Sequence, residues 1–202
     1  MLFFDNSFGA LSKAYIVSAQ GGEAHPVLPT DPRGEQSDPT WSPDGTKIAY
    51  TNGGAQSNPK TSIQILDLAS QEAVKIPGSD GLWSPRWSPS GRFIAAIGPA
   101  WSLTIFDRES QRWSIADKDG VCGFPTWSHD GKSLYYLHLT GDHQGLYGYD
   151  LSGGTSQRLI DLTKFRFTGA VDLWMGLDPQ DTPVMIRDTG TDDFYALSLG
   201  KK

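Results

Sequence analysis

One five-residue phrase recurs along this chain and governs everything it can fold into. Trp41-Ser42-Pro43-Asp44-Gly45 returns as Trp87-Ser88-Pro89-Ser90-Gly91 and as Trp127-Ser128-His129-Asp130-Gly131, with a degenerate copy at Leu177-Asp178-Pro179-Gln180-Asp181. A period of roughly 40–50 residues, filled with short strands and tight turns, is the signature of a β-propeller, one sheet or blade per copy. Such a ring is a scaffold for binding, catalysis and structure alike, so the fold does not name the function.

Each copy unfolds the same way. In the first, Asp38-Pro39-Thr40-Trp41 is short and extended, with Pro39 placed at the strand start, where a missing N–H is tolerated. Ser42-Pro43-Asp44-Gly45 is a turn, Pro43 presetting φ and Gly45 free to adopt φ > 0. Lys47–Tyr50 is a second strand. Ser62-Ile63-Gln64-Ile65-Leu66-Asp67 alternates with period two as a third, and Glu72–Ile76 is a fourth, ended by Pro77-Gly78. Full blades are expected over 38–77, 84–117 and 124–161. Asp67, Asp107 and Asp150 each close a third strand, where a carboxylate can accept N–H groups of the following turn. Trp41, Trp87 and Trp127 share one register and are expected to be buried between neighbouring sheets, which a lone four-stranded sheet needs for burial. A row of rings for stacking bases or sugars is the alternative.

The ends depart from the pattern. Residues 1–29 give a partial blade: a second-strand remnant at Leu2-Phe3-Phe4, a third strand at Lys13–Ser18 and a fourth at Ala24–Leu28. Residues 170–200 give three strands, Asp172–Gly176, Pro183–Ile186 and Phe194–Leu199. Residues 1–202 thus read as a single propeller region of about five sheets, an all-β partial arc with three complete four-stranded blades and incomplete first and last blades. The edge at Phe194–Leu199 is expected to be a template for association. A self-contained five-sheet ring is the other reading.

Bulk properties exclude several function classes. The formal charge is −6, and the 17 basic residues form no run. Direct nucleic-acid binding, which needs a clustered basic stripe, is not expected. No apolar stretch approaches the length of a membrane span. The start, Met1-Leu2-Phe3-Phe4-Asp5, has no basic segment and does not read as a signal peptide. The single cysteine, Cys122, precludes an internal disulfide. It is placed in a connecting loop, Asp119–Gly123, with no histidine partner evident.

Catalytic and metal chemistry is thin at this level. His25, His129, His138 and His143 are scattered. His138 and His143 could approach one metal, but no third ligand is evident, and no metal site is assigned. The acidic stretches Asp178–Asp181 and Asp188–Asp193 lack the closing glutamate of a calcium loop. No cofactor motif is present, and no Gly-x-Ser-x-Gly elbow supplies a serine nucleophile. What remains is surface. The connections at Thr30–Asp38, Gly78–Ser84, Asp117–Phe124 and Leu162–Val171 lie on one face of the ring. They carry the candidate binding residues Arg33, Asp80, Trp83, Asp119, Phe124 and Arg166, with Phe165 and Phe167 beside them; arginine and aromatic rings are favoured types at interfaces. Trp83 lies outside the repeated Trp register, and packing on a neighbouring sheet is its competing role.

The segments Pro39–Tyr50, its two later copies and Tyr15–Gly22 resemble the TolB-like propeller family, also described as WD-like repeats of the Pro-Asp type. The resemblance covers nearly the whole chain. The tail, Trp174–Pro179 through Ile186–Thr191 and Phe194–Leu197, is similar to the last sheet of bacterial propellers that follow a winged-helix regulator or a Ser/Thr kinase domain, often beyond a membrane span. The resemblance implies a non-catalytic binding or sensor module of a larger bacterial protein, periplasmic or extracytoplasmic, taking a protein partner or a small ligand. A second reading is the accessory propeller of a prolyl-oligopeptidase-like hydrolase whose catalytic domain lies elsewhere. A third is a fragment with no independent activity.

Overall fold

Alternating strands and tight turns build five antiparallel sheets. The architecture is that of a computed structural model describing residues 1–5, 12–28, 34–53, 60–168 and 174–190. The first sheet holds β1 (Leu2–Asp5), β2 (Lys13–Ile16) and β3 (His25–Pro26). The second holds β4 (Gln36–Trp41), β5 (Lys47–Asn52), β6 (Ser62–Asp67) and β7 (Ala73–Lys75). β8 (Trp83–Trp87), β9 (Phe93–Ile97), β10 (Leu103–Asp107) and β11 (Arg112–Asp117) form the third. The fourth contains β12 (Cys122–Trp127), β13 (Ser133–His138), β14 (Gly145–Asp150) and β15 (Thr155–Asp161), and the fifth β16 (Met175–Leu177) and β17 (Pro183–Met185). Within each sheet every strand pairs with its sequence neighbour, the meander of a propeller blade. The expected strand at Phe194–Leu199 lies outside the described residues, as do Asp172 and Leu173.

Among the described residues the core is not one cluster but four, each sandwiched between successive sheets. Ala14, Val27 and Leu28 meet Ile48, Tyr50 and Leu66. Ala49, Ile63 and Ile76 meet Trp87, Ile94, Ala96 and Phe106. Ala95, Ile97, Leu103 and Ile105 meet Trp127, Leu134 and Tyr136. Leu137, Leu146 and Leu162 meet Met175. Strand alternation produces this division: on β9, Ile94 and Ala96 face the sheet before, while Ala95 and Ile97 face the sheet after. Both faces of a middle blade are covered, so its second strand is apolar at consecutive positions.

Trp87 and Trp127 are buried between sheets as expected, but Trp41 is half-buried. The reason is what precedes each one. Trp127 packs after a complete blade, and its indole N–H donates to the carbonyl of Arg86 on β8, 2.9 Å away. Before Trp41 stands the first sheet, of which three strands are described, against four in each of the sheets that precede Trp87 and Trp127.

The prolines of the repeat are not at strand starts. Pro39, Pro85 and Pro125 lie inside β4, β8 and β12, where the pairing register shifts. The residue before each is left-handed: Asp38 at φ 49°, Ser84 at 53° and Phe124 at 54°. An extra unpaired residue followed by a proline makes a β-bulge, and the missing proline N–H is harmless where the ladder is interrupted. The bulge turns Asp38 toward β8, where its carboxylate lies 3.9 Å from Arg86.

The repeated turn is tied by its serine. Ser42 Oγ accepts the N–H of Lys47 at 2.9 Å, Ser88 Oγ that of Phe93 at 3.0 Å, and Ser128 Oγ that of Ser133 at 3.0 Å. The third-strand aspartates do what the sequence implies: Asp67, Asp107 and Asp150 accept backbone N–H groups of Ala69, Glu109 and Ser152 at 2.9–3.1 Å.

Successive turns also touch. A Cβ on Gly91 would lie 3.2 Å from the Pro43 ring, and one on Gly131 would lie 3.6 Å from Pro89. At the next interval both partners change together. His129 stands in the proline position and Asp181 in the glycine position, at φ 62°. The imidazole Nδ1 of His129 pairs with the Asp181 carboxylate at 2.5 Å, which also accepts the His129 backbone N–H at 3.0 Å. An apolar contact is replaced by a polar one at the same structural place.

Three outcomes follow from this packing. Ile94→Ala is expected to cost about 2–5 kcal/mol by chemical denaturation, and Ile115→Ala on the exposed outer strand under about 0.5 kcal/mol. A double-mutant cycle on His129→Pro and Asp181→Gly should give a coupling energy of about 0.5 kcal/mol or more, whereas additive effects would mean no contact. For pH, hydrogen bonds from Lys47 and from Arg92 hold Asp67 and Asp107 at about 2, below the ordinary 3.8. Because the folded-state values are depressed, their stabilisation is complete above 3.8 and is lost as pH falls through about 2. Equilibrium unfolding across that window should show a decline that Asp67→Asn and Asp107→Asn make shallower.

Candidate functional site

Two regions on the face that carries the inter-blade connections combine unusual geometry with polar chemistry. The first lies where the entry to β8 meets the connection between β9 and β10. That connection is a short 3₁₀ turn, Pro99–Trp101, in which Ala100 and Trp101 are both left-handed, at φ 55° and 61°. Two successive non-glycine residues in this region cost about 1–3 kcal/mol each, so the surroundings must hold them. Trp101 N–H bonds the carbonyl of Gly98 at 3.1 Å, and Ser102 Oγ donates to the carbonyl of Pro99 at 3.0 Å. Gly98 is required: a Cβ there would come within 2.8 Å of Ser102 Oγ and 3.1 Å of Leu82. The product is an edge-to-face pair, Trp83 against Trp101, with ring centroids 5.0 Å apart. Both rings are half-buried. The Trp83 indole N–H is buried and has no hydrogen-bond partner among the described residues.

The second region lies between the third and fourth blades. Asp117 ends β11, Cys122 opens β12 and His138 ends β13, directly across the ladder from Cys122. Tyr136 O–H donates to the Asp117 carboxylate and contacts Ser156 Oγ at 2.8 Å. His138 Nε2 lies 3.0 Å from Asp117 Oδ2. His138 stacks on Tyr147 with centroids 4.0 Å apart, and its Nδ1 is buried without a partner among the described residues. Burial alone would raise the Asp117 carboxyl, yet hydrogen bonds from His138, Tyr136 and the Asp119 backbone hold it at about 2. The same burial, with Asp117 nearby, pushes the Cys122 thiol up to about 12 and raises the Tyr136 phenol far above its ordinary value. Both shifts favour the protonated, less nucleophilic form. A cleft of about 520 Å³, lined by Ile115–Asp119, Thr155 and Ser156, opens above the cluster.

The candidate residues named from sequence take different places. Asp80 is exposed and pairs with Lys75 at 2.5 Å. Trp83 belongs to the aromatic pair, and Asp119 is exposed at the rim of the cleft. Phe124 sits within β12, half-buried against the fourth core cluster with Phe165 and Phe167. Arg166 is bound to Asp188 at 2.9 Å. Arg33 lies outside the described residues. Cys122 is corrected: it is not in a loop but in an innermost strand, fully buried, and its histidine neighbour is His138 across the ladder. His143 is exposed on the 3₁₀ turn Gly141–His143, and the groups that converge with His138 are Asp117 and Cys122. The signal that could have found them is register, since the start of a first strand faces the end of the second.

No family model matches the chain. A stretch of 58 residues, 28% of the chain, is 45% identical to the Tol-Pal system protein TolB of Alcanivorax borkumensis, of which it covers 13%. Over 119 residues, 54% of the chain, it is 29% identical to the uncharacterized peptidase YuxL of Bacillus subtilis, covering 18% of that protein. Among solved structures it superposes on TolB from Acinetobacter baumannii with a TM-score of 0.70 at 20% identity, over 95% of this chain and 48% of that one. A chain of a nidogen/laminin complex gives a TM-score of 0.67 at 14% identity, over 92% and 69%. The chain therefore has a TolB-like β-propeller fold and spans about half the length of that TolB chain. No helix among the described residues is long and apolar enough to cross a membrane.

Asp117→Ala is expected to lower stability by about 2–4 kcal/mol, because it leaves a His138 nitrogen buried and unpaired and removes one of the two partners of the Tyr136 hydroxyl. A thermal or urea unfolding curve within about 0.5 kcal/mol of wild type would show that the cluster is solvated.

Proposed function

We propose that this chain is a non-catalytic protein-binding module of a larger bacterial protein, and that it binds through the face bearing Trp83, Trp101, Asp80 and Asp119. The observation that carries the reading is the strained Pro99–Trp101 turn, which holds Trp101 against Trp83. Backbone strain at a surface connection is a recurrent mark of function, and half-buried tryptophans supply large contact area at small entropic cost. A face of this kind on a ring of rigid blades is suited to a partner with an apolar anchor and positive charge, complementary to Asp80 and Asp119. Similarity in fold to TolB and to a chain of a nidogen/laminin complex, with sequence similarity over 58 residues to a Tol-Pal system protein, is in keeping with a role in assembly.

The alternative is the accessory propeller of a prolyl-oligopeptidase-like hydrolase, favoured by the 119-residue similarity to an uncharacterized peptidase. A coding sequence that continues into an α/β-hydrolase with a Gly-x-Ser-x-Gly elbow would select it. For the binding reading, the test is cross-linked capture from the source cell followed by titration of the captured protein. Trp101→Ala should weaken that complex by at least tenfold while leaving thermal stability near wild type. Capture unaffected by Trp101→Ala, or ester or peptide turnover by the purified chain, would contradict it.

A further inference from the structure

The cluster beneath the cleft between the third and fourth blades is not used by the binding reading. Asp117, Cys122 and His138 come from three separate strands, and one ligand atom of each lies within 4.8 Å of the other two. The residues are among the most enclosed polar groups of the described chain: Cys122 is fully buried and the His138 side chain is 4% exposed. Carboxylate, thiol and imidazole are the three donor types that borderline-soft divalent cations take from proteins.

We propose that Asp117, Cys122 and His138 form a three-ligand site for a divalent cation of the zinc class, with a fourth position directed to the cleft lined by Lys118 and Asp119.

Charge supports this assignment. A carboxylate and a thiolate together cancel a divalent cation, so the buried site is electrically neutral when loaded, which removes most of the cost of placing ions in a low-dielectric interior. Geometry supports it independently. His138 Nε2 and Asp117 Oδ2 are already 3.0 Å apart, a separation two ligands of one tetrahedral ion can adopt. The cysteine sulfur makes weak polar contacts, with the Gly120 carbonyl at 3.8 Å and with the Leu103 backbone. The other imidazole nitrogen, Nδ1, is buried against Gly120 with no partner among the described residues, and it is the position that carries the ring proton when Nε2 ligates. Gly120 leaves clearance beside it, since any Cβ there would fall 2.6 Å from Nδ1. On binding, the Cys122 thiol proton is released to solvent, while the His138 ring proton is carried on Nδ1 instead of Nε2 as Nε2 exchanges its hydrogen bond to Asp117 for the cation, so one proton per site is released.

Cobalt(II) is the probe, because the chain has one cysteine and any thiolate-to-cobalt charge-transfer absorption must come from Cys122. The chelator-treated full chain, shown to be folded by circular dichroism, is titrated with cobalt chloride. The expected result is one equivalent bound, a charge-transfer band, proton uptake by a weak buffer, and loss of the band when zinc is added. Cys122→Ser should abolish the band, and His138→Gln should weaken binding at least tenfold. Should either variant fail to fold, the wild-type band and proton release stand as the deciding measurement. Absence of the band in folded wild type, or cobalt binding that Cys122→Ser leaves unchanged, overturns the proposal.

Discussion

Burial of sheet faces against their neighbours is the interaction on which the rest of this structure depends. A single four-stranded sheet cannot cover its own apolar faces, and here each of the three four-stranded sheets is covered by the sheets on either side. Ile94 and Ala96 belong to one interface and Ala95 and Ile97 to the next, on one five-residue strand. The outer strands contribute little: Val74 and Ile115 are largely exposed. Stability is therefore distributed along the arc in steps, one per interface, rather than concentrated at a centre.

That arrangement assigns the repeated phrase a second task. Its serine closes each turn through the backbone, and its proline and glycine bring one turn against the next. The pairing is selective enough that where the proline becomes His129 the following glycine position becomes Asp181, and contact is kept by a hydrogen bond. Rigid spacing of the turns on one face leaves the opposite ends of the strands free to vary. The strained Trp101 turn and the Asp117 cluster both lie at those variable ends, each present at one blade boundary and not at the others described.

Much of the fold was legible because each local signal repeats. Period-two strands, Ser-Pro-Asp-Gly turns and the aspartates after the third strands all agree, and such agreement between levels is what makes a sequence readable. The bulges at Asp38, Ser84 and Phe124 were hidden, since a left-handed residue before proline contradicts ordinary preference and only the register reveals it. The half-exposure of Trp41 depends on what stands behind it, which no window around Trp41 encodes. The site was less legible than the fold. Trp83 drew attention by breaking the repeat, but its partner Trp101 is 18 residues away in an unremarkable loop. Asp117, Cys122 and His138 converge only through antiparallel register and the packing of two blades, so none of the three marks itself by spacing.

The distribution of stability between blades is tested most directly by native-state hydrogen exchange resolved to individual amides. The account predicts the slowest exchange in the second strands β5, β9 and β13, which are covered on both faces, and much faster exchange in the outer strands β7, β11 and β15 of the same sheets. Uniform protection across all four strands of a blade, or protection concentrated in a single blade, would contradict it.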